Sequence, residues 1–518
     1  MATREVIHFS DSLPAEKRTI RNSILRELLL ELDKNKIDPR GIEITGARLT
    51  GDLDLVDVTL PVGLHLIRCE LTGSLCLQGA QLIRLILQGS RIRDLRADGV
   101  QVQKGINAQD VHCEGAFRLI GSTIEGQLNL AGATIIGDGH SGLLADGMRV
   151  GGDALLRQAP SGRPFVARGD KDGAVRLLAA EIGGNLDCER AVFNSAQAAA
   201  FDGERARVGG NIILRSIRSR GDVILQRASV RGQLNCKNAE IDGLVADGLQ
   251  TDDDVILSGL RAGRAGPDAT VSLIGARVGG HLVCDEGGVA GPGLSLDLRF
   301  VSVGKALSLR PDFFAARNGG TVVLDGLTYP AIPYGMERDE WLAFLRHRTE
   351  GHAAQPYQQL AAAYRSAGRE DDARVVLIAQ QDHRSADPRL ARRTRLRLRL
   401  LRLTLGYGYQ SWRALIGLLL NLALAVVVVI GAANWSTAVH TQATENGRPG
   451  PCRFVYKIGL GIDLAIPLVN TSSRQHCDLT ATKPSEEWIV AVCWVFQILG
   501  WALATLFVAG YTGLIRKG

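Results

Sequence analysis

The chain has 518 residues, 60 Lys and Arg against 54 Asp and Glu, and a net charge of +6. The basic excess is local: the net charge is −2 over residues 1–330 and +8 over 331–518. The long first part is therefore not the basic surface that tracks nucleic-acid phosphates, and no nucleic acid is expected as a partner.

The N-terminus, Met1-Ala-Thr-Arg-Glu-Val-Ile-His8, lacks the continuous apolar core of a signal peptide, so the first part is expected in the cytoplasm. Within residues 1–40, Ile20, Ile24, Leu28, Leu29 and Leu32 recur at helical spacing and predict an amphipathic helix that caps the repeats after it.

Residues 41–328 are repetitive. The pattern is a small residue, any residue, an aliphatic, any residue, Gly, a polar residue, an apolar one, any residue, then Leu or Cys. It reads Ala47-Arg-Leu-Thr-Gly-Asp-Leu-Asp-Leu55, Cys69-Glu-Leu-Thr-Gly-Ser-Leu-Cys-Leu77 and Ala180-Glu-Ile-Gly-Gly-Asn-Leu-Asp-Cys188. It returns as Ala206-Arg-Val-Gly-Gly-Asn-Ile-Ile-Leu214 and Ala276-Arg-Val-Gly-Gly-His-Leu-Val-Cys284, nine copies in all. A second element is Ala-Asp-Gly, at Ala97-Asp-Gly99, Ala145-Asp-Gly147 and Ala246-Asp-Gly248, with a looser Phe201-Asp-Gly203. Leu49 to Leu71 is 22 residues, Ile182 to Val208 is 26 and Val208 to Val230 is 22. One coil of a narrow parallel β-helix needs about that much chain, and the short corners leave no room for crossover helices. The predicted fold is mainly β, a parallel β-helix solenoid.

The region resembles the pentapeptide-repeat solenoids in Ala47/Leu49, Ala80/Leu82, Ala133/Ile135 and Ala239/Ile241, in a degenerate version interrupted by glycines and by insertions such as Gln158-Ala-Pro-Ser-Gly-Arg-Pro164. The resemblance implies a four-sided, right-handed β-helix. Members that mimic DNA carry acidic faces, and this near-neutral solenoid implies no such role.

Residues 334–404 form a connector. Leu360, Ala363, Tyr364, Gly368 and Ala373 match the small and aromatic positions of a tetratricopeptide-like helical hairpin. A basic membrane-surface patch comes next, at Arg389, Arg392, Arg393, Arg395, Arg397, Arg399 and Arg402.

Residues 413–518 hold two charge-free apolar stretches, Ala414 to Ala433 and Trp488 to Tyr511, each about 30 Å or longer as a helix. Both read as membrane spans. The arginines before the first and Arg516-Lys517 after the second put both ends in the cytoplasm and loop 435–487 outside. In that loop Cys452 and Cys477 are candidates for a disulfide. Lys457, Asp463 and Pro467 interrupt an apolar run that is read as lying on the membrane surface or as a re-entrant segment.

No catalytic constellation stands out. Cys188, Cys236 and Cys284 recur at one repeat position and read as core. No metal ligand set, catalytic residue or cofactor is assigned. The whole chain is similar to a class of bacterial inner-membrane proteins with glycine-rich repeats and a two-span tail, which often carry the name membrane-associated oxidoreductase. The expected function is a membrane-anchored cytoplasmic scaffold that binds an unidentified protein, with the lipid bilayer and further copies of itself as other partners. A signal-gated two-span channel or pore subunit is the alternative, and a membrane-associated oxidoreductase the third reading.

Overall fold

A computed structural model of the chain describes residues 6–9, 14–31, 41–137, 139, 141–263, 268–290, 293–314, 320–349, 353–386, 391, 393–394, 402, 407, 412–435, 439–441, 444–445, 448–449, 452–466, 469–479 and 487–512. The chain divides into two compact units, residues 1–373 and 374–518.

The first unit is a parallel β-solenoid of about 11 turns. Its strands of two to four residues stack into four sheets of 13, 12, 12 and 10 strands, one sheet per side. In chain order we number these faces 1 to 4. Each coil visits every face once, and each strand pairs in parallel with its counterpart one coil away. One of the shortest coils runs from Leu64 to its partner Leu85 on face 1. The repeat spacing corresponds to single coils: Leu49 pairs with Leu71 on face 2, and Ile182 with Val208 on face 4.

Alternation puts one residue of each strand inside. Leu64, Leu85, Ile106, Leu128, Leu186, Ile212 and Leu234 form one such interior column, each at most 1% exposed. Burial this complete gives each aliphatic close to its full transfer free energy, about 1.5–3 kcal/mol.

Two kinds of corner turn the chain. Between faces 1 and 2 and between faces 3 and 4 the third residue of a tight turn is left-handed, as at Gly99 (φ 68°) and Gly147 (φ 63°). Between faces 4 and 1 the backbones of neighbouring coils touch, and a Cβ at Gly183 or Gly209 would collide with the carbonyl oxygen of Gly151 or Gly183 one coil below. The nine sequence copies occupy two different corners. Those centred on Leu49 and Leu71 lie at the 2-to-3 corner, and those from Ile124 onward at the 4-to-1 corner. The physical demand, close backbone approach, is the same at both, so the signature is the same.

The Ala-Asp-Gly elements mark the 3-to-4 corner, where the aspartate clamps the next coil. Asp98 accepts from the Ile120 N–H at 3.1 Å and Arg118 Nη2 at 2.7 Å; Asp146 accepts from the Leu178 N–H at 3.2 Å and Arg176 Nε at 2.8 Å. Phe201-Asp-Gly203 is not a copy: Asp202 pairs in register with Arg176, whose own partner is Leu144, two positions before Asp146.

Both ends of the solenoid are covered. Thr19–Arg21 is a strand that adds a rung to face 2, so Ile20 stacks on Leu49, and the helix (α1, Asn22–Leu30) begins after it. Leu25 and Leu29 are the buried apolar residues of α1, whereas Ile24 and Leu28 point outward at 59% and 38% exposed. Of the predicted stripe Leu29 is buried as expected, Ile24 and Leu28 face outward, and Leu32 lies outside the described residues. Asn22 Nδ2 ties α1 to the Gly51 carbonyl at 2.5 Å. At the other end, α2 (Arg338–His347) buries Trp341, Phe344 and Leu345, with the Phe344 ring 6.0 Å from Phe314. The next helix, α3 (Ala354–Ser366), binds the last corner through Gln355 Nε2 to Leu327 O (2.9 Å) and Gln359 Nε2 to Tyr329 O (2.6 Å). Gly368 (φ 74°) then turns the chain into α4 (Glu370–Ala386).

In the second unit, α5 (Trp412–Trp435) and α7 (Glu487–Tyr511) are long and apolar enough to cross a membrane. Between them lies α6 (Phe454–Ala465).

Candidate functional site

The solenoid offers flat, polar outer faces. Two shallow grooves run along opposite sides. That on face 4, about 730 Å³, is lined among others by Thr123, Arg149, Glu181, Arg207 and Arg231; that on face 2, about 760 Å³, by Asn194, Arg218, Glu240, Asp242 and Arg261. Each holds an Arg-Glu-Arg triplet on three coils. On face 4 Glu181 meets Arg149 at 3.4 Å and Arg207 at 2.8 Å; on face 2 Glu240 meets Arg218 at 3.6 Å and Arg261 at 3.0 Å. Exposed pairs of this sort add little stability, about 0–1 kcal/mol each. The pairs set four guanidinium groups in rows along the two faces.

Other polar rows belong to the scaffold. Asn185 donates its N–H to Asp153 at 2.7 Å, Asn211 to Asn185 at 2.9 Å and Gln233 to Asn211 at 3.0 Å, an amide ladder that lines the 4-to-1 corner. The recurring cysteines lie in an interior column that alternates with Leu214 and Leu257, so successive thiols are two coils apart. All three are buried. Burial pushes the Cys236 thiol up to about 12, and Cys188 and Cys284 also well above the usual range, which leaves them protonated and unreactive.

The insertion from Gln158 to Pro164 folds back over a corner rather than opening a site. Ser161 Oγ donates to Asp110 Oδ1 at 3.0 Å, across 51 residues.

In the second unit Cys452 and Cys477 form a disulfide with Cα atoms 6.1 Å apart. Strand Cys477–Leu479 pairs antiparallel with Val439–Thr441, so the start of α6 and the segment that leaves it are joined at one end. From that end α6 runs along both apolar helices. A Cβ at Gly461 would meet Val426 Cα at 2.8 Å, and one at Gly500 would strike the Ala465 carbonyl and approach Asn421 Nδ2 at 3.5 Å. Missing side chains at Gly461 and Gly500 are what allow this approach. Gly500 stands near the middle of α7, and Asn421 near the middle of α5. At 1.5 Å per residue the C-terminal end of α6 lies about 20 Å along each.

Asn421, 3% exposed, donates Nδ2 to the Phe496 carbonyl at 3.2 Å and so joins α5 to α7, as a lone amide in an apolar helix is expected to do. Lys457 remains at the opposite end of α6, with Nζ 3.2 Å from Asn434 Oδ1. Asp463 is buried, and its Oδ1 accepts the Thr471 N–H at 2.7 Å. Pro467 lies outside the described residues.

Of the basic patch, Arg389, Arg392, Arg395, Arg397 and Arg399 lie outside the described residues. Arg393 is exposed. Arg402 pairs with Asp382 of α4 at 3.1 Å, and Tyr407 donates to the same carboxylate at 2.9 Å. Neither the pairing of Asp382 with these residues nor that of Asp463 with Thr471 is predicted by the sequence; the signal available is the spacing of Gly459 and Asp463, one helical turn apart and so on one face.

Comparison with protein-family models, with curated proteins and with solved structures returns no match.

Proposed function

We propose that this chain is a membrane-anchored scaffold: α5 and α7 hold it in a bilayer, and the outer faces of the solenoid bind a cytoplasmic protein. The observation that carries the reading is the exposure of the two apolar helices. Only 22% and 17% of their apolar windows are buried, and Leu419, Leu420, Leu424, Val427, Trp494, Val495 and Ile498 all stand exposed. The core helix of a soluble protein would bury such residues; a hydrocarbon layer is the environment that accepts them. The rows of arginine on faces 2 and 4 supply a patterned surface for an acidic partner. Placement in a bacterial inner membrane with both ends cytoplasmic, association through the spans and a degenerate pentapeptide-repeat ancestry belong to the same reading.

The test is proximity labelling in the native membrane with the full chain and with Arg149→Glu plus Arg207→Glu. Partners captured by the wild type and lost by the variant support the scaffold. An unchanged set removes face 4 from the interface, and labelling of the chain's own copies alone overturns the reading.

A second reading, a two-span pore subunit, is favoured by one observation. In a bilayer spanned by α5 and α7, an α6 that ends about 20 Å along both helices enters the hydrocarbon layer and returns on the same side. A conductance across lipid bilayers that requires α6 supports it.

A further inference from the structure

Among the described residues of the second unit, the Asp463 carboxylate has no ion-pair partner. Asp463 is 7% exposed, and while its Oδ1 accepts the Thr471 N–H, its Oδ2 has no hydrogen-bond partner. The neighbouring guanidinium of Arg474 reaches the Asp463 backbone carbonyl at 3.3 Å rather than the carboxylate, and Lys457 is turned to Asn434. When ionised, a buried carboxylate without a counter-charge is costly, and in hydrocarbon surroundings more so.

Apart from the Arg474 guanidinium and the Thr471 N–H, the polar groups on this face are hydroxyls. Gly459, on the same face of α6, lies close to Thr471 and Ser473, whose hydroxyl oxygens are 2.7 Å apart. The last carbonyls of α6 end nearby, and the C-terminal end of a helix carries partial negative charge. Oxygen donors with a single formal charge suit a hard, singly charged cation.

We propose that Asp463 is the cation-binding carboxylate of this hairpin and that, with Thr471 and Ser473, it takes an alkali cation between α6 and the returning segment. The proposal rests on the reading of the second unit as membrane-embedded. Asp463 neutralises the ion, and the hydroxyls replace part of its water shell.

The test uses the full chain in lipid nanodiscs, melted in potassium chloride, sodium chloride and N-methylglucamine chloride at equal ionic strength. For the wild type either alkali cation raises the midpoint of the tryptophan-monitored transition by about 3 °C or more. Asp463→Asn keeps the acceptor for Thr471 and loses the response. An equal rise in both proteins, or none in the wild type whatever its response to acid, overturns the site. Should Asp463→Asn not fold, Thr471→Val, which retains the N–H bond, is expected to raise the half-maximal potassium concentration at least threefold; an unchanged concentration overturns the proposal. Potassium flux in proteoliposomes separates it from the pore reading. Stabilisation of the wild type alone without flux keeps the site and removes the pore. Equal flux through wild type and Asp463→Asn, with no alkali stabilisation of the wild type, removes the site and keeps the pore.

Discussion

A methyl group added at Gly209 has nowhere to go, because the Gly183 carbonyl of the coil below occupies its position. Gly209→Ala is therefore expected to destabilise the solenoid by about 1–3 kcal/mol, the range for forced overpacking. Gly263→Ala, where nothing lies within 4 Å, is expected to be silent, and urea melts of the two variants check the pair. The buried thiols set a pH limit of their own. With the folded pKa of Cys236 at about 12 and the ordinary thiol value at 9.0, the unfolded chain releases its proton first as pH rises. The native state then binds more protons than the unfolded one, so stability present below pH 9 declines between pH 9 and 12. Cys236→Ala is expected to flatten that decline relative to wild type, whatever its cost at neutral pH, and denaturant midpoints measured on either side of the ordinary thiol value read the slope.

At the scale of the element, the 3-to-4 corner depends on one carboxylate per clamp. Asp146→Ala removes the bonds to the Leu178 N–H and to Arg176, an expected loss of about 1–3 kcal/mol, and speeds amide exchange at Leu178 before it does so in the interior strands. Asp146→Asn retains the acceptor for the backbone and costs less. The C-terminal cap is less forgiving: Trp341 is 2% exposed, and Trp341→Ala is expected to cost about 3–5 kcal/mol by thermal melting. The coils were legible because parallel stacking makes each residue's partner its own counterpart one repeat later, so Ile182 and Val208 declare their pairing by spacing alone. The corners were not, since glycine marks close backbone approach at both the 2-to-3 and the 4-to-1 turns and the signature cannot distinguish them. Helix α1 was legible in place and at Leu29, but Ile20 belongs to a strand and drew Ile24 and Leu28 into the predicted stripe, where they are exposed. The candidate cation site was half legible. Asp463 stood out as a charge in an apolar run, but Thr471 and Ser473 became its neighbours only through the reversal of chain after α6.

At the scale of the whole molecule, the first unit behaves as a stack in which each coil holds only its neighbours. Removing residues 64–84, one complete coil, leaves Leu85 to stack where Leu64 stood and is expected to preserve a folded solenoid. Removing only residues 64–74 destroys the register of every face beyond it. Circular dichroism and a cooperative melt distinguish the two. Coil length varies widely, the turn from Ala154 to Leu186 being half as long again as that from Leu64 to Leu85, yet the pairing stays intact because the extra chain is spent at corners. Gln158 to Pro164 is such a case, fastened down by Ser161 on Asp110. The unit is consequently a ruler as well as a surface. At about 4.8 Å per coil, its eleven turns give a rod roughly 50 Å long with one graduation per turn. Arg149, Glu181 and Arg207 mark three consecutive graduations, so the charge reads plus, minus, plus over about 10 Å. A ligand with that pitch would be gauged by where it comes to rest, and gain or loss of a coil would recalibrate the scale without redesigning a single contact.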